Sequence, residues 1–464
     1  MNKTFAKLVQ LTIGFFFVIS LVFAQENQGV VFDNYNPVNG QFINPSNIVD
    51  AKPWLDINII GASAFVYNNM FYYPNTRLWN LDAFNEEPIF KENVNKVNGY
   101  LSGLALGPSA SLVIERQSFS LYSAAREIGN IINAPSVLGE MASSTGIDAS
   151  DTGFYDVNNA RIKSMGWGEI GFTYGRILEA KGSRMITGAV SLKRLFGFQN
   201  STAIVKEGQL HVLTPDSAVL LSDNGTYSYT EPALNAGKGW GISLGATFKK
   251  MKTNVDRYYP HSTSSNCISI DYEYKIGVSI IDLGYVNFRN EAYYGDLADI
   301  SSVIDTVESG NEILDEAKRN AKGNRYNAPL PAALSVQADY NINDIFYLNA
   351  TIIQRIPFIK SFGVERENLL TVSGRYETKY IGIGLPISVV NYEKVFVGLA
   401  FRLANLTIGT DHLLPWIIKQ DIYAASLYFN LKITLYKSPA CKVKNNNNNK
   451  KKSRYRTNEC ATWK

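Results

Sequence analysis

The chain carries repeated runs in which apolar and polar residues alternate with a period of two. In the last run, 423–436, the odd positions are Tyr423, Ala425, Leu427, Phe429, Leu431, Ile433 and Leu435. Polar residues such as Ser426, Asn430 and Lys432 lie between them. A period of two predicts a β-strand with one apolar and one polar face. The apolar face meets either a second sheet in a soluble sandwich or lipid around a membrane barrel.

Repetition of this pattern along the whole chain favours the barrel. Many runs are near ten residues, the length that crosses a bilayer at a tilt. The predicted strands are 55–68, 99–114, 117–126, 161–178, 184–199, 237–250, 269–287, 330–342, 344–357, 366–376, 379–390, 395–403, 405–411 and 421–436. We therefore predict an all-β fold, a transmembrane antiparallel β-barrel of about 14 strands that closes by pairing the last strand with 55–68.

The connections between these strands alternate in length. Long ones are expected at 69–98, 127–160, 200–236, 288–329 and 412–420, and short ones near Glu115, Glu179, Asn343, Glu377 and Ala404. Short turns on one side and long extracellular loops on the other are typical of outer-membrane barrels. The connection 251–268 breaks the pattern, because it is long and falls on the short side.

The first residues indicate export. Lys3 and Lys7 precede an apolar stretch from Leu8 to Phe23, and Val22-Phe23-Ala24 is a small-residue cleavage site. These features predict a signal peptide over residues 1–24 rather than a membrane anchor, because the apolar stretch is short. No later stretch of about 18 apolar residues predicts a membrane helix. The expected location is the outer membrane.

Residues 25–54 are rich in Asn, Gly and Pro and precede the first strand, so we expect an N-terminal plug that folds into the barrel lumen. No Pro- or Ser-rich linker divides the residues that follow, which favours a single barrel over 55–437. Tyr is frequent, with 27 residues in the chain. Tyrosines suit the girdles where a barrel wall meets the membrane surfaces, although carbohydrate-binding β-proteins are also Tyr-rich.

A basic tail, 438–464, follows the barrel and is expected in the periplasm. The formal charge of the chain is +4, from 45 basic and 41 acidic residues. The tail contains Lys442, Lys444, Lys450, Lys451, Lys452, Arg454, Arg456 and Lys464 against Glu459 alone. Export argues against nucleic acid as the partner. Anionic lipid, an acidic periplasmic or cell-surface protein, or plain solvation of a disordered end stay open.

The chain has three cysteines, Cys267, Cys441 and Cys460. Cys441 and Cys460 lie in the tail, and an oxidising compartment favours a disulfide between them over two free thiols. Cys267 is then left without a role.

Two features of the predicted wall strands are candidate functional sites: a set of four glycines and a charged residue. Gly237, Gly239, Gly241 and Gly245 fall on one face of a predicted strand, which indicates either a ligand or plug packed close or curvature of the barrel. Asp282 continues the apolar register of Ile276, Val278 and Ile280, where a charge facing lipid would be costly. Either the strand kinks at Asp282–Gly284 or Asp282 lies near the outer rim, and we favour the kink.

Candidate catalytic chemistry is sparse. The three histidines, His211, His261 and His412, lack a second ligand at metal-binding spacing. The pair Asp411-His412 fits a loop or helix-start role better than an acid–base dyad. No nucleophile lies in a G-x-S-x-G frame and no phosphate loop is present. The sequence predicts a protein that is not an enzyme and uses no cofactor or metal.

Several strings resemble a known family. NPSNIVDAKPWLDINIIG (44–61), GKGWGISLGATFK (237–249) and GLAFRLANLTIGTDHLLPW (398–416) resemble uncharacterised Bacteroidota outer-membrane barrels, a domain of unknown function. They are similar, more distantly, to the fourteen-stranded long-chain fatty-acid transporter type and to the shuttle barrel of the type IX secretion system. The resemblance spans most of 40–437. It implies a Bacteroidota source and an outer-membrane location, and in the transporter type a strand kink opens the wall sideways.

Two functions follow as hypotheses. The first is a conduit for hydrophobic or small solutes, which predicts an apolar pocket or a lateral gap near the plug. The second is a docking barrel that anchors a secretion, motility or surface-lipoprotein assembly through its tail, which predicts a sealed lumen.

Overall fold

The computed structural model describes residues 27–91, 94–137, 152–214, 217–265, 267, 269–299, 303–305, 315–357 and 361–441. Within them the chain forms a closed antiparallel barrel of fourteen wall strands. These are β1 Leu55–Asn68, β2 Val97–Leu106 with Ser109–Ile114, β3 Gln117–Ala134, β4 Ala160–Lys181, β5 Arg184–Thr214, β6 Gly237–Met251, β7 Tyr272–Phe288, β8 Tyr326–Pro329 with Ala333–Asn341, β9 Phe346–Arg355, β10 Leu369–Glu377, β11 Ile381–Val390, β12 Lys394–Val397 with Leu399–Leu403, β13 Leu406–Thr410 and β14 Ala424–Leu435.

The predicted closure is confirmed. Strand β14 pairs with β1 in an antiparallel register that runs from Leu55 opposite Leu435 to Tyr67 opposite Ala424. The odd positions of β14 face outwards and the even positions face the lumen. Leu427 and Leu431 are 41% and 40% exposed on the outside, whereas Tyr428 and Asn430 are 1% and 2% exposed on the inside. The sandwich alternative is therefore excluded, because the apolar face has no second sheet against it.

The same division runs around the wall. Exposed outward residues include Trp240, Leu244, Ile276, Val278, Leu334, Val336, Leu348 and Ile352. Buried inward residues include Asp56, Lys163, Thr173, Lys193, Ser335, Asp339, Asn349 and Lys432. No helix in the described part of the chain is long and apolar enough to cross a membrane.

Most connections follow the predicted asymmetry, with short turns at one end (the turn end) and long ones at the other (the loop end). The exceptions are the long connection between β6 and β7 at the turn end, which the sequence predicts, and the short one between β11 and β12 at the loop end. The connection expected over 200–236 is wrong in detail, because β5 continues to Thr214 and pairs with a further strand, Ser217–Thr230. Beyond the apolar belt no lipid selects an apolar face, so alternation fades while pairing persists. The other strands outside the wall are Phe71–Thr76, Ile89–Phe90, Gly153–Asp156, Ala292–Asp296, Val303–Asp305 and Gln420–Ile422.

Helices are few and short. In the described part of the chain the α-helical residues are Pro37–Gly40, 136–137, 315–319, Leu414–Ile417 and 439–441. The 3₁₀ turns are Pro45–Ile48, Leu81–Asn85, Thr263–Ser265 and Leu297–Asp299.

The disulfide expected in the tail is wrong. Cys441 is bonded to Cys267, with the two Cα atoms 5.8 Å apart, whereas Cys460 lies outside the described residues. Cys267 lies in the long connection between β6 and β7, and the same connection accepts a hydrogen bond from Ser438 Oγ to the His261 carbonyl at 2.8 Å. The chain therefore leaves β14 and is fixed to the turn between two other strands.

Peptide mapping of the oxidised protein tests this pairing. Digestion without reductant should release a cross-linked peptide pair that contains Cys267 and Cys441. The pair should vanish in Cys441→Ser and persist in the control Cys460→Ser. A cross-link between Cys441 and Cys460 in the wild-type protein would contradict the assignment.

Candidate functional site

The lumen is filled from the turn end by residues 27–54, here called the N-terminal plug. Most of these residues are buried, although many are polar: Asn27, Gln28, Asp33, Asn36, Asn39, Gln41, Asn44 and Ser46. A polar segment suits this place because the inward face of the wall is polar, and buried polar groups need hydrogen-bond partners. The plug expected over 25–54 is thus present in the described residues.

The plug is bonded to strands all around the barrel. Asn34 Nδ2 donates to Glu377 on β10 at 2.8 Å and to Tyr272 on β7 at 3.0 Å. Thr173 on β4 donates to Gln41 at 2.9 Å, and Lys432 on β14 donates to the Tyr35 carbonyl at 2.6 Å. Contacts on opposite walls fix the plug in position and orientation.

An ion pair links the plug to β12. The Asp33 carboxylate and the Arg402 guanidinium lie 2.5 Å apart and both are buried. Burial alone would raise the pKa of Asp33, but the charges of Arg402 and Lys432 outweigh it and hold the pKa below its usual range. The plug is therefore attached to the wall by a charge that persists at neutral pH.

The four glycines predicted as contacts divide into two groups. A Cβ atom on Gly245 would lie 2.1 Å from Asn44 Oδ1, so Gly245 makes room for the plug. On Gly239 it would lie 1.9 Å from the Tyr285 carbonyl oxygen, and on Gly237 2.7 Å from Val286 Cγ1. Gly241 faces Leu330 instead. Three of the glycines thus leave space for residues of the neighbouring wall strands, and Gly245 leaves space for the plug.

Strand β7 is irregular where the sequence predicts a kink. Its register with β6 shifts between Ile242 and Leu244, and its pairing with β8 jumps from Ile281 to Tyr285. Asp282 has φ +57° and Gly284 has φ +155°, both outside the extended region. An extra residue at a bulge lets two successive side chains point the same way, and Ile281 and Asp282 are both buried. The bulge turns Asp282 into the lumen, away from lipid.

Three cations converge on the Asp282 carboxylate. Arg126 from β3 lies 3.0 Å from it, Arg366 lies 2.5 Å away, and Lys193 from β5 is also bonded to it. Glu169 adds a second carboxylate 3.9 Å from Arg126. A buried charge is tolerated when it is paired and hydrogen-bonded, and the charges of this cluster pair with one another.

Arg366 comes from a loop that enters the lumen from the loop end. This segment, residues 361–368, is here called the inner loop. Its Gly363 carbonyl accepts from Lys163 at 3.1 Å, and its Phe362 carbonyl accepts from Asn200 and Thr202 at 2.9 Å each. Glu365 forms ion pairs with Lys163, Arg161 and Arg355 at 3.2, 3.4 and 3.1 Å. This closure is not predicted from the sequence, because residues 361–368 have no periodic pattern of apolar and polar positions.

A small cavity lies between the plug and the inner loop. It measures about 30 Å³ and is lined on the plug side by Val31 and Phe42, on the wall by Tyr100 and Arg126, and by Arg366. A volume of this size holds about two water molecules. In this conformation the plug and the inner loop leave no room there for a larger solute.

Among the described residues, no cluster of three or more His, Cys, Asp or Glu side chains is placed to hold a metal ion. Asp411 and His412 do not form a dyad: His412 Nδ1 bonds to the Ala424 carbonyl at 3.2 Å, while Asp411 accepts from the Gln28 backbone at 3.4 Å. Burial lowers the pKa of His412 to about 4. The basic tail residues Lys442, Lys444, Lys450, Lys451, Lys452, Arg454 and Arg456 lie outside the described residues.

The fold and the lumen define a fourteen-stranded β-barrel closed by its own N-terminal segment and an inward loop. The chain belongs to the family of unknown function DUF5723, whose family model matches residues 45–411. No curated protein matches the sequence. The Bacteroidota source and the likeness to the secretion shuttle stay predictions.

Solved structures with a similar fold include several barrels. A Pseudomonas aeruginosa FadL homologue shares 11% identity over 88% of this chain and 95% of its own, with a TM-score of 0.41. The Pseudomonas putida toluene transporter TodX shares 10% over 84% and 90%, with a TM-score of 0.39. The Escherichia coli outer membrane protease OmpT shares 8% over 82% and 96%, with a TM-score of 0.21. At these values nothing about a ligand carries over to this chain.

Removing the charge of Asp282 should destabilise the barrel. In Asp282→Asn three buried cations lose their shared carboxylate, and breaking a buried ion pair from one side typically costs about 3–5 kcal/mol. Urea unfolding in detergent should show the loss, and Glu179→Gln, at an exposed wall position, should unfold like the wild-type protein. Equal stability of both variants would refute the role of Asp282.

A methyl group at position 245 should loosen the plug. Asn44 cannot turn aside freely, because its side chain bonds to Ser46, Gln337 and Thr247. Gly245→Ala should therefore speed hydrogen exchange within residues 27–54. Gly374→Ala is the matched control, since a Cβ atom there meets nothing within 4 Å. Unchanged exchange in Gly245→Ala would show that the contact is dispensable.

Proposed function

We propose that this protein is an outer-membrane conduit for a hydrophobic or small solute, seen with its lumen closed. The apolar belt supports the membrane location, since outward residues such as Ile170 on β4, Val278 on β7 and Ile383 on β11 are exposed around the closed barrel. A soluble protein rarely exposes apolar surface continuously around its circumference.

The inner loop supports the conduit. It is held across the lumen by the polar contacts of Arg366, Glu365 and its carbonyl groups, and also by the buried Val364 and by Phe362, whose ring packs against Tyr294 and Tyr326. Water can replace the polar contacts at modest cost, because it solvates the separated groups, so Phe362 and Val364 are the residues that lose apolar burial when the loop leaves. A stopper attached in this way is suited to leave and return. The bond between Arg366 and Asp282 is the observation that carries the proposal.

Conductance of the full-length protein in planar bilayers tests it. Arg366→Met keeps an unbranched, flexible side chain and removes the bonds to Asp282 and to the Pro331 carbonyl. We expect a conductance at least severalfold above wild type, with a pore that uncharged polymers of increasing size block progressively. The control is Arg176→Met, an exposed arginine on the outer wall.

A docking barrel is the second candidate. The disulfide supports it, because Cys441 is fixed to the turn between β6 and β7 and Lys442 follows directly. The basic tail would thus start from a fixed point at the turn end and present its charge to an acidic periplasmic protein. If wild type and Arg366→Met both fail to conduct, while removal of 442–464 abolishes capture of one defined partner, the docking function replaces the conduit.

A further inference from the structure

The inner loop carries one carboxylate into a group of three basic side chains, here called the cation cluster. The Glu365 carboxylate lies 3.4 Å from the Arg161 guanidinium, 3.2 Å from the Lys163 ammonium and 3.1 Å from the Arg355 guanidinium. Arg161 and Lys163 are successive inward residues of β4, whereas Arg355 ends β9, five strands further round the wall. One side chain of the loop therefore joins cations from two separate parts of the barrel.

The wall around the inner loop has more basic than acidic groups. In the described part of the chain, the ion pairs around the inner loop and Asp282 involve five basic wall residues and two acidic ones: Arg126, Arg161, Lys163, Lys193 and Arg355 against Glu169 and Asp282. No described carboxylate other than that of Glu365 lies within 4 Å of the cation cluster. When the inner loop leaves, the cluster therefore loses its counter-charge, and its three cations repel one another.

The backbone of Glu365 is held independently of its carboxylate. Its N–H donates to Asn130 Oδ1, and its carbonyl accepts from Asn130 Nδ2, both at 2.8 Å. Asn130 lies on β3 and is buried. Shortening the side chain at position 365 should therefore vacate the cation cluster while the bonds to Asn130 still position the loop.

The cation cluster is partly open to solvent at the loop end. Arg161 lies at the start of β4 and Arg355 at the end of β9, both at the loop end of the wall. Their side chains are 14% and 30% exposed, whereas the Lys163 side chain is fully buried. An ion in solution at the loop end can therefore reach two of the three cations while the inner loop is in place.

The charges of the cluster determine which ligand it accepts. An uncharged hydrocarbon would leave three cations without a counter-charge, and a cation would be repelled. Guanidinium groups present paired N–H donors that match the oxygens of a carboxylate or a phosphate. Glu365 shows one such group in place, with Oε1 near Arg161 and Lys163 and Oε2 near Arg355. The arrangement therefore favours an oxyanion.

We propose that the cation cluster binds a small solute that bears a carboxylate or phosphate group, and that Glu365 occupies this site until the solute displaces it. The inference rests on the proposed conduit and narrows its solutes from hydrophobic or small ones to small anionic ones. Displacement breaks the ion pairs of Glu365 and so removes one attachment of the inner loop. The solute itself thereby loosens the stopper.

Titration calorimetry of the full-length protein in detergent tests the site, with succinate as the probe and succinamide as its uncharged counterpart. Glu365→Ala vacates the cluster and should bind succinate about tenfold more tightly than the wild-type protein, because apparent affinity falls with the fraction of sites that are free. Adding Lys163→Met should cancel the gain, and succinamide should bind neither protein. Glu87→Ala, at an exposed position of the loop end, should match the wild-type protein.

A second measurement needs no variant. In the wild-type protein, succinate should speed hydrogen exchange within residues 361–368 relative to sodium chloride of equal ionic strength, whereas succinamide should not. Inorganic phosphate in place of succinate shows which of the two groups the site prefers. The proposal is overturned if neither anion speeds this exchange, or if Glu365→Ala folds and gains no affinity for either anion.

Failure of this inference and failure of the conduit are distinguishable. If Arg366→Met conducts while Glu365→Ala gains no affinity for succinate or phosphate, the conduit stands and the anion site is lost. If Glu365→Ala gains affinity while Arg366→Met does not conduct, the anion site stands and the conduit is lost.

Discussion

The contacts that close this lumen meet at one carboxylate. Asp282 is bonded to Arg126 on β3, to Lys193 on β5 and to Arg366 on the inner loop, so it joins two walls and a stopper at one point. The position exists only because β7 bulges there, since an unbroken strand would point the residue at position 282 towards lipid. The bulge in β7 thus places a negative charge inside the barrel, and this charge binds Arg366 of the inner loop.

The rest of the interior follows the same rule of paired charges. Asp33 meets Arg402, Asp56 meets Lys432, and Asp339 meets Arg375. Such pairs add little net stability compared with apolar packing, but each disfavours every arrangement that leaves one partner alone. These charge pairs, together with buried apolar plug residues such as Val31, Ile43 and Ile48, therefore specify where the plug sits.

The wall could be read from the sequence because lipid imposes a strict alternation, and each predicted wall strand corresponds to an observed one with shifts of a few residues at most ends. Asp282 was recognisable as an anomaly, since it interrupts the apolar register of Ile276, Val278 and Ile280. The inner loop was not recognisable in the sequence, because carbonyl groups and isolated charged residues make many of its contacts, and these follow no periodic pattern. The cysteine pairing also needed the fold, since three cysteines permit three pairings and only proximity in space selects Cys267 with Cys441.

The plug also constrains the order of folding. Asp33 and Arg402 are 369 residues apart in sequence, and Lys432 bonds to a carbonyl 397 residues before it. Contacts of such separation form late, because the intervening chain must first be brought together. The earliest part of the barrel to be synthesised is thus among the last to become ordered, and sealing of the lumen coincides with docking of the final strand. Until the plug docks, the unfinished barrel has an open lumen.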